Sequence, residues 1–453
     1  MPSAHAVANR RKGRQAAAKP PLSADALWAI KRIASPTLSP DGALACAAVT
    51  SFEMTTNESS TELWLFPTGL AGGPGAKPRR LTAGDKDSDP KWSPDGRWIA
   101  FTAKRQGDDE PQVYLIAPDG GEAKRLTKVA NGCAAVKWFR DAKRIAFVSS
   151  VWPDLATDAE QAKRRKERKD AKVKAHVTER AEFRYWDRWL TDGREPHVFV
   201  CDVATGRHRD VLAGTDLALP PWDPTSADFD IAPDGREIAV TVDLAREPAM
   251  MNRRDIATVD VATGRKRILT ADTGTDDACP AYSPDGRFLV FHSSDTARSF
   301  NDQGWLTLHE RRTRRRRRLA PGYDRQPRHA AWSADSRSVL FTAEDRGRIG
   351  LWRTPVAAHA EETPSLVAAG GAIGNFSQSR DGSILAFDRS AAQYPPALYA
   401  CRDDGSAERQ IEALNRSLLG RHKIGEVREV TIKGWGAAPV QMWITYPPNF
   451  DST

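Results

Sequence analysis

A short segment near residue 185 places aromatic and charged side chains close together. The side chains concerned are Glu182, Arg184, Tyr185, Trp186, Asp187 and Trp189, with Phe183 among them. Rings and charges at this spacing are typical of surfaces that bind peptides, which makes these residues candidates for substrate contact. A structural alternative stays open, in which the rings only fix an arm of the chain onto its neighbour.

The aromatic segment forms the second half of an insertion at about residues 152–195. The first half has the composition of a helix, and acidic residues precede basic ones by four positions in Glu160 with Arg164 and Asp170 with Lys174. We therefore predict a helix followed by the aromatic segment.

Other familiar catalytic patterns are absent from the sequence. There is no G-x-S-x-G nucleophile turn, no His-Gly-Gly, no H-E-x-x-H, no P-loop and no dinucleotide fingerprint. Nine histidines are present, and none lies in such a motif, so we expect His197 and His292 to be strand residues. No catalytic residue, metal site or cofactor is predicted.

The five cysteines are scattered at positions 46, 133, 201, 279 and 401, without a C-x-x-C pair. This spacing indicates neither a disulfide framework nor a zinc site. Buried thiols on strands are expected.

Charge and hydropathy narrow the possible partners. The net charge of +8 comes largely from local runs in the first residues, in Lys163–Lys174 and in Arg314–Arg318. Such runs are usually solvated, so no nucleic-acid partner is expected. Residues 1–22 form a basic tail, predicted to be disordered, without the apolar stretch of a secretory signal. We expect a cytoplasmic location and no association with a membrane.

A repeated phrase determines the predicted fold. The sequence S-P-D-G or a variant of it recurs seven times, with its aspartate at positions 41, 95, 141, 234, 285, 335 and 381. The intervals are 54, 46, 93, 51, 50 and 46 residues, and the doubled interval contains the insertion. Proline and glycine in the phrase favour a tight turn.

A short strand precedes each turn, and the turn is followed by apolar strand-forming residues, such as those at 97–103 and 287–293, and by two further strand patterns. Four short strands every 45–55 residues form the blade of a β-propeller. We therefore predict an all-β, seven-bladed propeller over residues 23–425, with a helical insertion. Because each blade is read from one continuous segment, we expect the ring to close by packing between blades.

The last residues, 426–453, depart from the blade pattern. They predict two strands joined by a glycine-rich turn and followed by Pro-Pro-Asn-Phe-Asp. We expect them to begin a further domain.

Several of these segments together resemble one family. They are residues 26–42, the arm at 172–200, the phrase FTAEDRGR at 341–348, and the closing GWGAAPVQMWITYPPNFD at 434–451. They resemble the prolyl oligopeptidase family of serine peptidases, in its bacterial acylaminoacyl-peptidase and dipeptidyl-peptidase V-like branch. The aromatic arm and the closing passage are the more specific motifs, because TolB-like and other propellers share the S-P-D-G phrase.

The resemblance implies an N-terminal propeller that admits short peptides to a C-terminal α/β-hydrolase domain with a Ser-His-Asp triad. Residues 426–453 would be the first strands of that domain, and the rest of it is missing here. The chain alone is thus expected to be inactive. A free α-amine of a peptide would need a carboxylate, for which Glu179, Glu182 and Asp187 are candidates.

Two functions therefore remain open. The first is the substrate-gating propeller of a serine exopeptidase or oligopeptidase, whose partners are short peptides and the hydrolase domain, with a homo-oligomer possible. The second is a free-standing TolB-like propeller that binds a protein or peptide.

Overall fold

The chain divides into two compact units in a computed structural model, which describes residues 19–72, 77–179, 183–244, 253–295, 302–357 and 363–451. The larger unit is Lys31–Glu412, and the smaller unit joins the described part of Met1–Ile30 to Ala413–Thr453. Most of the predicted basic tail, residues 1–18, lies outside the described residues. The helices are short: α1 (Ala24–Trp28), α2 (Asp158–Asp170) and α3 (Arg416–Gly420).

The larger unit is a succession of mainly antiparallel sheets. The first sheet contains β1 (Arg32–Ile33), β2 (Thr37–Leu38), β3 (Leu44–Glu53), β4 (Glu58–Pro67) and β5 (Arg79–Arg80). The second contains β6 (Ser88–Trp92), β7 (Ile99–Ala103), β8 (Gln112–Ala117) and β9 (Gly120–Arg125). The third begins with β10 (Ala134–Trp138) and β11 (Arg144–Val151), is interrupted by a hairpin of β12 (Arg184–Tyr185) and β13 (Arg188–Trp189), and ends with β14 (Glu195–Asp202) and β15 (His208–Asp210).

The later sheets repeat the same order of strands. The fourth contains β16 (Phe229–Ile231), β17 (Glu237–Asp243), β18 (Arg254–Asp260) and β19 (Lys266–Ile268). The fifth contains β20 (Asp276–Tyr282), β21 (Phe288–Ser294), β22 (Trp305–Glu310) and β23 (Arg316–Arg318). The last sheet has eight strands: β24 (Pro327–Trp332), β25 (Ser338–Asp345), β26 (Arg348–Pro355), β27 (Ser365–Ala368), β28 (Ala372–Gln378), β29 (Ile384–Ala391), β30 (Tyr394–Arg402) and β31 (Arg409–Gln410).

One parallel pairing explains the eight-stranded sheet. Ile349 of β26 pairs with Ala372 of β28, and the Ile349 N–H donates to the Gly371 carbonyl at 3.0 Å. Two sets of four strands that the sequence repeat keeps apart therefore share one sheet. The repeat alone does not predict this contact, because it joins residues of different copies.

The repeated turn has the chemistry that the sequence predicts. In the second copy the Ser93 hydroxyl donates to Asp95 at 2.6 Å, and the Asp95 carboxylate accepts the Arg97 N–H at 3.1 Å. The Ser93 oxygen also accepts the Trp98 N–H at 2.9 Å, and Gly96 has a φ of +73°. The serine and the aspartate thus fix the turn, and the glycine supplies the left-handed residue that it requires.

Neighbouring sheets pack through their apolar faces. Between the third and fourth sheets, one cluster contains Val148, Val200, Val240 and Val259 among other buried residues. Similar clusters join the first sheet to the second and the second to the third. Alternate residues of each strand point to opposite faces. An inner sheet packs against a neighbouring sheet on each side, so both faces of its strands are apolar.

The first sheet also contacts the last strands of the larger unit. The Leu38 N–H donates to the Ser377 hydroxyl at 3.0 Å, and the Arg380 N–H donates to the Pro40 carbonyl at 2.8 Å. Within the described part of the chain, no strand of residues 32–80 pairs with a strand of residues 372–410. This junction therefore depends on packing and not on a shared strand ladder.

The smaller unit contains the two strands predicted for its C-terminal part. They are β32 (Val427–Lys433) and β33 (Pro439–Thr445), an antiparallel hairpin with a short 3-10 turn at Trp435–Ala437. In the same unit, Pro21 forms a parallel bridge with Lys423, and the Lys423 N–H donates to the Pro20 carbonyl at 2.8 Å.

Candidate functional site

The insertion leaves the third sheet at Val151 and returns at Glu195, and buried polar contacts anchor its start. Gln161 of α2 is 5% exposed. Its side-chain oxygen accepts the Trp152 N–H at 3.0 Å, and its amide donates to the Trp152 carbonyl at 2.8 Å. The indole of Trp152, also buried, donates to the Asp192 carbonyl at 2.7 Å. The two ends of the insertion are thereby held together.

The predicted helix is present as α2, but its ion pairs differ from the prediction. Glu160 does not pair with Arg164; it forms a capping box with Thr157, whose N–H donates to the Glu160 carboxylate at 3.0 Å. Arg164 instead makes a bidentate contact with Asp154, at 2.8 Å for both bonds. The helix N-terminus competes for the carboxylate because it offers unsatisfied N–H groups.

Charged contacts tie α2 to the neighbouring sheets. Arg165 reaches Asp109 at 2.9 Å and Glu110 at 3.2 Å, on the loop before β8. Asp158 accepts from His208 at 2.7 Å, and this hydrogen bond raises the pKa of His208 and lowers that of Asp158. These contacts fix α2 against the second and third sheets.

The aromatic segment folds into the hairpin of β12 and β13. Arg184 pairs with Trp189 and Tyr185 with Arg188, so Trp186 and Asp187 form the turn. Trp186 has a φ of +49° and is 80% exposed. The Asp187 carboxylate is exposed and makes no hydrogen bond or ion pair with the residues that the structure describes.

The base of this hairpin is ordered by ring contacts within the insertion. Trp189 stacks on His176 with centroids 4.3 Å apart, and the Arg184 guanidinium lies 5.7 Å from the centre of the Trp189 ring. Arg188 contacts Asp223 and the Pro221 carbonyl on the loop before the fourth sheet. The hairpin is thus held at its base, while its tip is exposed.

Five of the six candidate substrate-contact residues therefore come together in one hairpin: Arg184, Tyr185, Trp186, Asp187 and Trp189. The sixth, Glu182, lies outside the described residues. The rings of Phe183, Trp186 and Trp189 are exposed, so the contacts that fix the insertion come mainly from Trp152 and α2. Sequence analysis did not single out Trp152 or Gln161, and a glutamine on a charged helix gives no signal of burial.

The two histidines considered as catalytic candidates are strand residues, as predicted. His197 lies on β14; burial lowers its pKa, but the hydrogen bond with Asp210 at 2.7 Å and the Glu195 carboxylate 3.9 Å away outweigh this and raise it to about 9. His292 lies on β21, where burial lowers its pKa to about 4.

The cysteines are free thiols, four of them buried and Cys279 partly so. Four lie on strands as expected, and Cys133 lies just before β10. Burial raises the pKa of Cys201 to about 12, which keeps that thiol protonated and unreactive. Among the described residues, no helix is long and apolar enough to cross a membrane.

Comparison with known proteins identifies relatives among peptidases. The chain is 24% identical to dipeptidyl-peptidase 5 of Porphyromonas gingivalis over 442 residues, which cover 95% of this chain and 61% of that protein. Its structure matches the acylaminoacyl peptidase of Pyrococcus horikoshii with a TM-score of 0.69 and 17% identity, over 93% of this chain and 58% of that one. No family model matches the chain.

A third match concerns the sheets. The β-propeller domain of the Trilobed protease from Pyrococcus furiosus superposes with a TM-score of 0.57 and 14% identity, over 85% of this chain and 96% of that one. The predicted propeller fold is thereby confirmed. The resemblance to peptidases of the prolyl oligopeptidase family is also confirmed, and the chain spans less than two thirds of the length of the peptidases it matches.

Proposed function

From this relationship to peptidases of the prolyl oligopeptidase family, we propose that the chain is the substrate-gating propeller of a serine-type exopeptidase or oligopeptidase that acts on short peptides. The catalytic α/β-hydrolase domain is, in this proposal, missing from the chain. One observation carries it: the similarity to a dipeptidyl-peptidase runs over 95% of this chain but covers 61% of that enzyme. No G-x-S-x-G occurs in the sequence.

We count seven blades in this propeller, within residues 23–425. The seven aspartates of the repeated turn support the count, because each lies in the turn between two paired strands of one set. The eight-stranded sheet contributes two blades, since a single residue pair, Ile349 with Ala372, joins its halves.

The hairpin of β32 and β33 would be the beginning of the hydrolase domain. Its register places Val430, Ile432, Val440, Met442 and Ile444 on one face. None of the five is buried, and Ile432 and Val440 are exposed. An amphipathic hairpin normally packs its apolar face against a core, so this face supports a domain that would cover it.

The aromatic hairpin at residues 184–189 would contact the substrate. Trp186 and Trp189 offer exposed rings for a peptide, and Asp187 offers a free α-amine a carboxylate that is unpaired among the described residues. Glu179 and Glu182 are the other acids of this segment. A propeller over an active site admits chains by size and shields the reaction from bulk water.

The gene downstream of codon 453 tests the proposal most directly. Reading it in all frames should reveal a G-x-S-x-G sequence followed by an aspartate and a histidine. If no frame encodes these residues, and a stable 453-residue product accumulates in cells, the peptidase proposal is wrong and a free-standing propeller that binds a protein or peptide replaces it.

A further inference from the structure

A cavity of about 600 Å³ lies between the fourth and fifth sheets, far along the chain from the aromatic hairpin. It is at the end of the strands where the turn of Asp285 and Gly286 lies. The insertion leaves β11 at the opposite end, after Val151. The cavity is therefore separate from the site proposed for peptide contact, and it has the size of a pocket for a small organic molecule.

Arginines dominate the charges that line this cavity. Arg267, Arg287, Arg311 and Arg312 line it, together with two acids, Glu237 and Glu310. Four guanidinium groups against two carboxylates leave an excess of positive charge.

The negative charges in the cavity are already used by neighbouring groups. Glu237 accepts from the Tyr282 hydroxyl at 2.6 Å and from Arg311 at 3.0 Å. Glu310 accepts from the Thr313 hydroxyl at 2.6 Å. Arg311 is fixed further by the Gly286 carbonyl at 2.7 Å.

The charges of the other three lining arginines remain available, with the Arg287 guanidinium 5.0 Å from the centre of the Phe288 ring. Arg267, Arg287 and Arg312 are exposed, and they form no ion pair with any residue in the described part of the chain. Guanidinium groups bind carboxylates and phosphates through paired N–H donors, so these three residues can each donate hydrogen bonds to an anion in the cavity.

A buried histidine completes the wall. His309 of β22 is 3% exposed, and its Nδ1 atom is buried with no hydrogen-bond partner among the described residues. Burial, together with the positive charges of Arg316, Arg267, Arg311 and Arg314, lowers its pKa to about 4. A buried polar atom without a partner is costly, which marks this place as one where a ligand could supply the missing contact.

The neighbouring basic run, Arg314–Arg318, does not explain the cavity. Arg316 pairs with Asp272 at 2.9 Å and also contacts the Leu269 carbonyl, and Arg318 lies over the Trp305 ring at 3.5 Å. Arg317 contacts the Val356 carbonyl. None of the five residues of the run lines the cavity.

We propose that this cavity binds a small organic polyanion, a molecule carrying two or more phosphate or carboxylate groups. Arg267, Arg287 and Arg312 bind the charged groups of the ligand, and His309 contacts the bound anion. Arg311 holds the wall of the cavity in place. The volume exceeds what a single inorganic ion fills, so the ligand has an organic body. This site does not depend on the proposed peptidase function.

Calorimetry on the 453-residue chain tests the proposal with three probes: citrate, fructose 1,6-bisphosphate and inorganic phosphate. We expect citrate or the bisphosphate to bind at about 150 mM salt, where weak surface attraction is largely screened. Tighter binding of citrate identifies a polycarboxylate, and tighter binding of the bisphosphate identifies an organic phosphate. Absence of binding by both at millimolar concentration, or equal binding of inorganic phosphate, overturns the proposal.

A matched pair of variants distinguishes the cavity from general positive charge. Arg267→Gln with Arg312→Gln removes two lining charges and should weaken binding at least about tenfold. Arg265→Gln with Arg315→Gln removes the same charge from nearby exposed positions outside the cavity, and should change affinity less than about twofold. All four side chains are exposed, so both variants should fold. Equal weakening by the two pairs would refute the site.

Proton uptake provides a second readout. A bound polyanion should raise the pKa of His309 from its low value, so binding near pH 6 should take up protons, measured as a difference in heat between two buffers. The uptake should disappear in His309→Gln. Unchanged uptake in that variant removes His309 from the site.

Tight binding of a single-stranded oligonucleotide in place of both organic probes would also overturn the proposal.

Discussion

Ala142 and Ser336 occupy the same position in two copies of the repeated turn, and both have the left-handed conformation that glycine adopts in other copies. Their φ angles are +55° and +62°, against +73° for Gly96 and +72° for Gly286. The two residues differ in one contact, because the Ser336 hydroxyl accepts the Asp285 N–H at 3.0 Å. The backbone thus keeps the turn even where the sequence lacks its glycine.

Replacing Ala142 with glycine should stabilise the protein. An alanine in the left-handed region costs about 1 kcal/mol, and glycine removes this strain. Because glycine also gives the unfolded chain more freedom, part of this gain is lost, and we expect a net stabilisation of roughly 0.5 kcal/mol. Urea denaturation of Ala142→Gly measures this change.

Ser336→Gly is the matched control for that substitution. It relieves the same strain but leaves the Asp285 N–H without its partner, which costs about 1 kcal/mol. We therefore expect no gain or a small loss of stability. A gain in Ser336→Gly as large as that in Ala142→Gly would contradict this account of the turn.

The pair of His197 and Asp210 should make stability depend on pH. The pKa of His197 is raised to about 9 in the folded chain, above the value of about 6.5 for an unfolded histidine. The folded state therefore holds more protons between these values, so the free energy of unfolding falls as pH rises from 6.5 to 9. The contribution is fully present below pH 6.5 and amounts to at most about 3 kcal/mol.

Urea denaturation at several pH values, compared with His197→Gln, measures this contribution. The glutamine variant should lose the part of the slope between pH 6.5 and 9 that the histidine causes. Identical slopes in both proteins would show that His197 keeps an ordinary pKa.

Gln161 should be needed for the position of α2. Its replacement by methionine leaves the Trp152 N–H and carbonyl without these partners, at a cost of about 1–3 kcal/mol. We expect faster amide exchange in residues 158–170. Lys166→Met, an exposed substitution on the same helix, should change neither exchange nor stability.

The aromatic hairpin should carry peptide binding. Trp186→Ala removes the most exposed ring of the tip and should weaken binding of a labelled short peptide about tenfold, measured by fluorescence anisotropy. Trp435→Ala, which removes an exposed indole from the smaller unit, should leave the affinity unchanged. An equal loss in both variants would indicate unspecific contact with exposed rings.

The acids of the same segment should distinguish free from blocked peptides. In an enzyme that includes the hydrolase domain, Glu182→Gln should raise KM for substrates with a free α-amine and spare acyl-blocked ones. Asp187→Asn is the companion variant, since its carboxylate is exposed at the tip of the hairpin. Equal effects on both substrate types would exclude the residue concerned from amine recognition.

The apolar face of the hairpin of β32 and β33 should make the chain prone to aggregate. Ending the chain at Gly425 removes this face and should lower light scattering at a given concentration. Val440→Lys places a charge on the same face and should act in the same direction. Thr431→Lys lies on the other face and should have little effect; equal scattering in all variants would contradict the prediction.

Local chemistry explains which parts of the fold could be predicted. The turn at Ser93 and Gly96 depends on residues within a few positions of one another, so the repeat identified the strands that flank it. The helix at 158–170 was predictable for the same reason. The strand pairing of Ile349 with Ala372 was not, because it joins segments of different repeats.

Long-range contacts also explain what the sequence could not show of the sites. The aromatic segment was recognisable by composition, but its anchor depends on Gln161 and Trp152, whose burial arises only in the folded chain. The cavity at His309 combines residues from six strands and the loops beside them. Its arginines are scattered over dozens of positions, and no spacing rule connects them.

The junction between the first sheet and the last strands has a mechanical consequence. Leu38 and Ser377, and Pro40 and Arg380, meet there across more than three hundred residues of sequence. No peptide bond and no strand ladder bridges this seam within the described larger unit. Separating the chain at this seam would therefore break packing contacts and these hydrogen bonds, but it would leave the strand ladder of every sheet intact.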